Sequence, residues 1–329
     1  MTEYSSLIGV IQPDQFQRAL DRLNLGTFVK AEKVPYGIVR QNVFLTSTEG
    51  EFVLRGHPFY PHQFAVEKCM VDNLHERTDV PVPWPYLIDP STDIFGWPYV
   101  IMPRMPGLQV SDSSVKDKLV KEDRVKMARA MGETLARMQE VTWDHAGYHV
   151  DETTVKPIEP SYREWIIGNI HHGLAAAREI SNITSEDIAW INDVITENAE
   201  ALNIPFQPCL IMGDFKEDNV VFTCEDGNWR VSGVFDFAMS QFGNGETDLS
   251  RLYAMYINED PNLAKEFVRT YLRNKQPQEG FLERRKIFIL GERLTIWEWA
   301  KRAKIASWDD TQSFRDWMDP YMNLDLNRI

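Results

Sequence analysis

The 329-residue sequence predicts an α+β protein of two domains. The first, 1–103, is small and mixed; the second, 104–329, is larger and mainly helical. Three observations predict this. Up to Met102, helical spacing and strand-like alternation take turns. Pro103, Pro106 and Gly107 then break the pattern. Beyond them, apolar residues recur mostly at three- and four-residue steps, and a length near two times ~150 residues suits two domains.

In the first domain, Pro13 to Leu25 has helical spacing, starting near Asp14. Val39 to Thr46 and Glu51 to Arg55 alternate as strands do, across the turn-like Ser47-Thr48-Glu49-Gly50. Phe64 to Arg77 is helical again, with Phe64, Cys69, Val71 and Leu74 toward one side. Pro81, Pro83 and Pro85 favour extended chain, and Trp97 to Met102 reads as a short buried strand. In the second domain, Val125, Ala128, Met131, Leu135 and Met138 mark an amphipathic helix within Asp123 to Val141. Tyr162 to Ala201 holds two more helices. Short apolar runs follow at Cys209 to Met212, Asn219 to Phe222 and Val231 to Phe235. Glu225-Asp226-Gly227-Asn228 joins the last two as a hairpin, and helices dominate again from Asp248.

Composition excludes several classes. With 35 Lys+Arg against 49 Asp+Glu the formal charge is −14, a poor match for nucleic acid but open to cationic ligands. No stretch approaches the ~18 uncharged apolar residues of a membrane span, and the N-terminus lacks the basic start of a signal peptide. Cys69, Cys209 and Cys224 form neither a disulfide framework nor a zinc pattern. The expectation is a soluble cytoplasmic protein without nucleic-acid or membrane partners; oligomeric state is left open.

Chemistry concentrates in Met212-Gly213-Asp214-Phe215-Lys216-Glu217-Asp218-Asn219, followed by Val234-Phe235-Asp236-Phe237. Asp214 and Asn219 bracket a polar loop entering a strand, and Asp236 ends the partner strand. Hairpin strands lie about 5 Å apart, so Asn219 and Asp236 can converge. A carboxylate and an amide oxygen suit Mg²⁺, which takes few protein ligands and completes its shell with water and phosphate. Asp214 is then free to orient a hydroxyl and accept its proton, the division of labour that phosphoryl transfer requires.

The Asp-x4-Asn spacing with a later strand-terminal Asp is similar to the kinase catalytic and metal loops. The surrounding residues resemble the aminoglycoside phosphotransferase family of small-molecule kinases. That family writes His-Gly-Asp-Leu-x3-Asn, then Ile-Asp-Trp, then Gly-Asp-x3-Asp-Leu. This chain has Met212-Gly213-Asp214-Phe215-x3-Asn219, Phe235-Asp236-Phe237, and Gly243-x4-Asp248-Leu249. The resemblance runs from about Val39 to Leu252. It implies a two-lobed protein-kinase-like fold, with an antiparallel sheet in a small nucleotide-binding lobe and a helical catalytic and acceptor-binding lobe. It implies Asp214 as catalytic base, Asn219 and Asp236 as Mg²⁺ ligands, and Asp248 as a brace on the catalytic loop. Arg55 would touch the nucleotide phosphates and Glu67 would be its ion-pair partner. Tyr36 to Val43 would cover the phosphates. The Pro103 carbonyl and the Met105 N–H would receive the adenine of ATP; a proline at 103 is harmless because only its carbonyl is needed. Met212 departs from the family's histidine, and a thioether cannot make that side chain's hydrogen bond.

The implied activity is ATP-dependent transfer of phosphate to a hydroxyl of a small polar molecule, aminoglycoside-like by resemblance. The competing readings are a kinase of another sugar, amine or amino alcohol, and a weak or inactive nucleotide-binding relative. Between Gln139 and Glu200 stand twelve acidic and three basic residues, which suit a cationic acceptor or a solvated face equally. Tyr162 and Trp165 could stack on a sugar, whereas His171 and His172 read as surface residues. The basic cluster from Leu282 to Lys304 reads as the outer face of an amphipathic helix. Trp297, Trp299, Trp308 and Trp317 read as core.

Overall fold

The structure, a computed structural model, describes residues 3–35, 41–111, 113–151, 153–309 and 311–323. The chain forms two compact units: Met1–Asp123 with His149–Val155 and Glu217–Ser240, and Arg124–Tyr148 with Lys156–Lys216 and Gln241–Ile329.

The first unit is built on a five-stranded antiparallel sheet ordered Phe28–Lys33, Asn42–Ser47, Gly50–Gly56, Tyr99–Pro103, Leu87–Asp89. Ser47 pairs with Gly50, so the expected turn closes over Thr48 and Glu49. The Pro13–Leu23 helix sets Phe16, Ala19 and Leu20 against Val43, Leu45, Leu54, Tyr99 and Ile101 in one core. Its i, i+3, i+4 apolar stripe is what that packing needs. Asn24 stops the helix in the left-handed region, at φ 56°. The Gln63–Arg77 helix buries Phe64, Val71 and Leu74 as expected, together with Glu67.

The Val220–Glu225 and Asn228–Val234 strands form a hairpin, with Asp226 and Gly227 both at positive φ as a tight hairpin turn demands. This hairpin belongs to the first unit. Leu108 and Phe222 exchange backbone hydrogen bonds of 2.8 and 2.9 Å, and the Val234 N–H donates to the Pro81 carbonyl at 2.8 Å. That pairing keeps the chain beyond Pro103 in the first unit, so the units part elsewhere than at residue 103.

Helices dominate the second unit: Lys121–Met138 (from Arg124), Tyr162–Ile180, Ser185–Asn198, Leu249–Glu259, Pro261–Asn274, Phe281–Arg302 and Phe314–Met322. The Phe281–Arg302 helix corrects the sequence reading. Arg284, Arg285 and Arg293 are buried within it. Arg284 forks onto Glu246 at 2.7 and 2.8 Å, Arg285 donates to the Tyr321 and Met322 carbonyls, and Arg293 pairs with Glu292 beside Trp317 and Tyr321. Buried guanidinium groups persist only when paired in this way. Trp297 and Trp317 are core residues, but Trp299 is 39% exposed. Tyr162 is held by Phe206 and by the Asn244 N–H, which donates to its hydroxyl.

A short antiparallel pair, Cys209–Ile211 with Gln241–Gly243, positions the chemistry of this unit. Ile211 stands opposite Gln241, so the chain leaves the pair into Met212-Gly213-Asp214 at one end and into Asn244-Gly245-Glu246 at the other. Among the described residues no helix is long and apolar enough to cross a membrane.

Candidate active site

In the first unit, Arg55 points inward from the Gly50–Gly56 strand, its side chain 5% exposed. Its Nη2 lies 2.8 Å from Asp236 Oδ1 and 3.3 Å from Glu67 Oε1. Burial alone would lower the Arg55 pKa; Glu67 and Asp236 more than offset it and hold the group above its ordinary range. Glu67 is also satisfied by Gln63, which donates to Oε1 at 2.7 Å, and by the Tyr86 hydroxyl, which donates to Oε2 at 2.8 Å. Burial pushes the Glu67 carboxyl upward while Arg55 opposes it. Four side chains thus fix the orientation of one cation.

Asp236 sits at the end of the hairpin with φ 72°, a left-handed conformation that costs a non-glycine residue on the order of 1 kcal/mol. Such strain is characteristic of functional positions. The Phe235 N–H donates to the Asn219 carbonyl at 3.1 Å, so Asn219 and Asp236 occupy the same end of the hairpin. Asn219 is buried, while the Asp236 side chain is 39% exposed. A carboxamide and a carboxylate are the donor types that a small divalent cation takes when few protein groups hold it. Pro103 ends the sheet strand opposite Phe52, and Met105 packs against the hairpin so tightly that a Cβ on Gly233 would stand 2.5 Å from the Met105 Cβ. The Met105 N–H donates to no protein acceptor among the described residues. The expected phosphate-covering segment, Tyr36 to Val43, lies outside the described residues from 36 to 40.

In the second unit, Asp248 accepts from the Met212 N–H at 2.6 Å and the Gly213 N–H at 2.9 Å. Burial pushes its carboxyl up to about 7, against the two amides, which favour the charged form. The next residue, Asp214, lies between two cations: Oδ2 is 2.8 Å from Lys216 Nζ and Oδ1 is 3.1 Å from Arg251 Nη1. Arg251 Nε is in turn 2.8 Å from Glu292 Oε1 on the long Phe281–Arg302 helix.

The model of the phosphotransferase enzyme family matches residues 30–285. The chain belongs to that family. Among solved structures it is similar to a thermostable mutant of aminoglycoside phosphotransferase APH(4)-Ia in ternary complex with ADP and hygromycin B (14% identity, 88% of this chain and 96% of that one, TM-score 0.61). It is also similar to aminoglycoside 2′-phosphotransferase-IIIa with GDP (13%, 87% and 90%, TM-score 0.58). A third is a protein of Haemophilus somnus assigned as a fructosamine-3-kinase (14%, 91% and 92%, TM-score 0.59). At these identities the likeness shows the fold, which is the protein-kinase-like α+β fold of small-molecule kinases. A curated relative, acyl-CoA dehydrogenase family member 11 of Rattus norvegicus, is 24% identical over 198 residues, 59% of this chain and 23% of that protein. The chain therefore spans less than a quarter of that relative's length.

Within the family frame, the unusual Met212 side chain is fully buried, and the grip of Asp248 on its backbone amide needs no histidine. Sequence reasoning missed Lys216, Arg251, Glu292 and Tyr86. Lys216 was spelled two residues after Asp214, inside the motif. Arg251 stood three residues after Asp248, one helical turn on. Glu292 and Tyr86 are brought in from distant segments and left no local signal.

Proposed function

We propose that the protein transfers the γ-phosphoryl group of ATP to a hydroxyl of a small polar molecule, with Asp214 as the base. The observation that carries this reading is the seating of Asp214: it directly follows two backbone amides gripped by Asp248 and is flanked by Lys216 and Arg251. In this reading Asp214 orients the acceptor O–H and takes its proton as the new O–P bond forms and ADP leaves. Asn219 and Asp236 would hold Mg²⁺, which supplies charge neutralisation for the phosphoryl oxygens when bound. Arg55 would meet the nucleotide phosphates, exchanging its bond to Asp236 for them while Glu67 keeps it in place. The Met105 N–H is a free donor for the adenine ring. ADP in the APH(4)-Ia complex favours ATP as donor, and a GDP complex in another relative makes GTP the comparison to run.

The acceptor follows less directly. An aminoglycoside-like molecule is the reading from the hygromycin B complex of that relative. Lys216 and Arg251 at the base favour, among the alternatives of another sugar, amine or amino alcohol, a sugar without ammonium groups, because an ammonium group beside them would be repelled. The test is Mg²⁺-dependent nucleotide consumption across aminoglycosides and neutral hydroxylated metabolites. Asp214→Asn should bind nucleotide as the wild type does and lose at least about a hundredfold in kcat, the lower end for a general base. A variant that keeps its kcat removes Asp214 from the chemistry.

A further inference from the structure

We propose that a cavity in the second unit, bordered by Lys275, Cys209 and Gln139, binds a small organic carboxylate at a place separate from Asp214. The cavity measures about 220 Å³, below the ~300–1,000 Å³ of pockets for drug-sized ligands and in keeping with a small metabolite. Its polar lining is mostly satisfied internally. Glu246 is neutralised by the two bonds from Arg284; the Tyr271 hydroxyl donates to Gln139 Oε1 at 2.8 Å, and Gln139 Nε2 donates to the Gly245 carbonyl at 2.8 Å.

Lys275 is the exception. Its Nζ donates to the Gln139 carbonyl at 3.0 Å and lies 4.0 Å from Cys209 Sγ, and no carboxylate among the described residues pairs with it. An ammonium carries three donors. In a chain with 49 acidic residues, a cation left without a carboxylate at the wall of a cavity asks for an anion from outside. Exposed Gln276 and Gln278 offer amide donors at the rim, and Phe206, Leu272 and Phe281 offer apolar wall for a carbon skeleton.

The location sets this cavity apart from the proposed reaction. Cys209 and Asn244 mark the end of the strand pair away from Ile211, beyond which the chain runs into Asp214. The cavity wall Asn244-Gly245-Glu246 leads within two residues to Asp248, which grips the catalytic loop.

Isothermal titration of the full chain, without nucleotide, with succinate, citrate and inorganic phosphate tests the proposal. A carboxylate should bind with Kd below about 10 mM; Lys275→Gln should weaken it on the order of tenfold, and Lys275→Arg should retain it. Asp214→Asn should bind the carboxylate like the wild type. No carboxylate binding, binding of phosphate alone, or equal binding by Lys275→Gln overturns the proposal. So does altered binding in Asp214→Asn, a gain above all, which would put the anion beside Lys216 and Arg251 at the acceptor site, where removing the carboxylate removes a repulsion; none of these results depends on whether phosphate is transferred.

Discussion

Arg251 ties the proposed base to the longest helix of the second unit. Its planar fork faces Asp214 with one nitrogen and Glu292 with another, so it fixes the carboxylate's direction as a flexible lysine would not. Arg251→Ala should lower kcat by about ten- to a hundredfold, the cost of a misdirected reacting group, with nucleotide KM unchanged. Guanidinium in the buffer should restore part of the rate, a rescue that a purely structural loss would not show. An unaltered kcat would mean that the loop backbone alone seats Asp214. Tyr86 plays the corresponding part for Arg55, through Glu67. Tyr86→Phe leaves a buried carboxylate oxygen short of a donor, at about 1–3 kcal/mol. Denaturant unfolding should show that loss, and nucleotide KM should rise because Arg55 is less firmly held. Unchanged KM alongside lowered stability would reduce Tyr86 to a packing role.

At the scale of elements, the hairpin from Val220 to Val234 shows what the sequence carries and what it does not. Its turn was legible in Asp226-Gly227, and the placing of Asn219 and Asp236 at one end followed from strand spacing. Its membership of the first unit was not legible, because the pairing with Leu108 and Pro81 spans more than a hundred residues. The Phe28–Lys33 strand escaped notice for a different reason: its side chains are largely exposed, so no alternation marks it. The Phe281–Arg302 helix was misread because arginine signals a surface until its distant partners, Glu246 and the Tyr321 carbonyl, are known. Periodicity reports the local face of an element and is blind to such partners. The hairpin also yields a test of the adenine contact at Met105. Gly233→Ala drives a methyl into Met105, and overpacking of this kind costs about 1–3 kcal/mol. Because Met105 would receive adenine, nucleotide affinity should fall with stability; affinity preserved at lowered stability would move the nucleotide away from Met105.

For the molecule as a whole, the loop that leads into Asp214 in the second unit is held by a carboxyl that burial pushes toward its neutral form. Burial pushes the Asp248 carboxyl up to about 7 in the folded protein, from an ordinary 3.8. Between those values the folded state binds more protons at this residue than the unfolded chain does. Stability from this group is therefore complete on the acid side and is lost as pH rises toward 7, by up to about 1.4 kcal/mol per pH unit. The charged form in turn makes the stronger bonds to the Met212 and Gly213 amides, so the pH that weakens the fold tightens the loop. Asp248→Asn cannot ionise. It loses one acceptor oxygen at every pH, a constant offset, but it escapes the cost of burying a charge. Denaturation midpoints of wild type and variant at pH 5 and pH 8 separate the two effects: the variant should gain on the wild type as pH rises. A constant difference, or one that moves the other way, would show that Asp248 is ionised throughout and that its two amide bonds outweigh its burial.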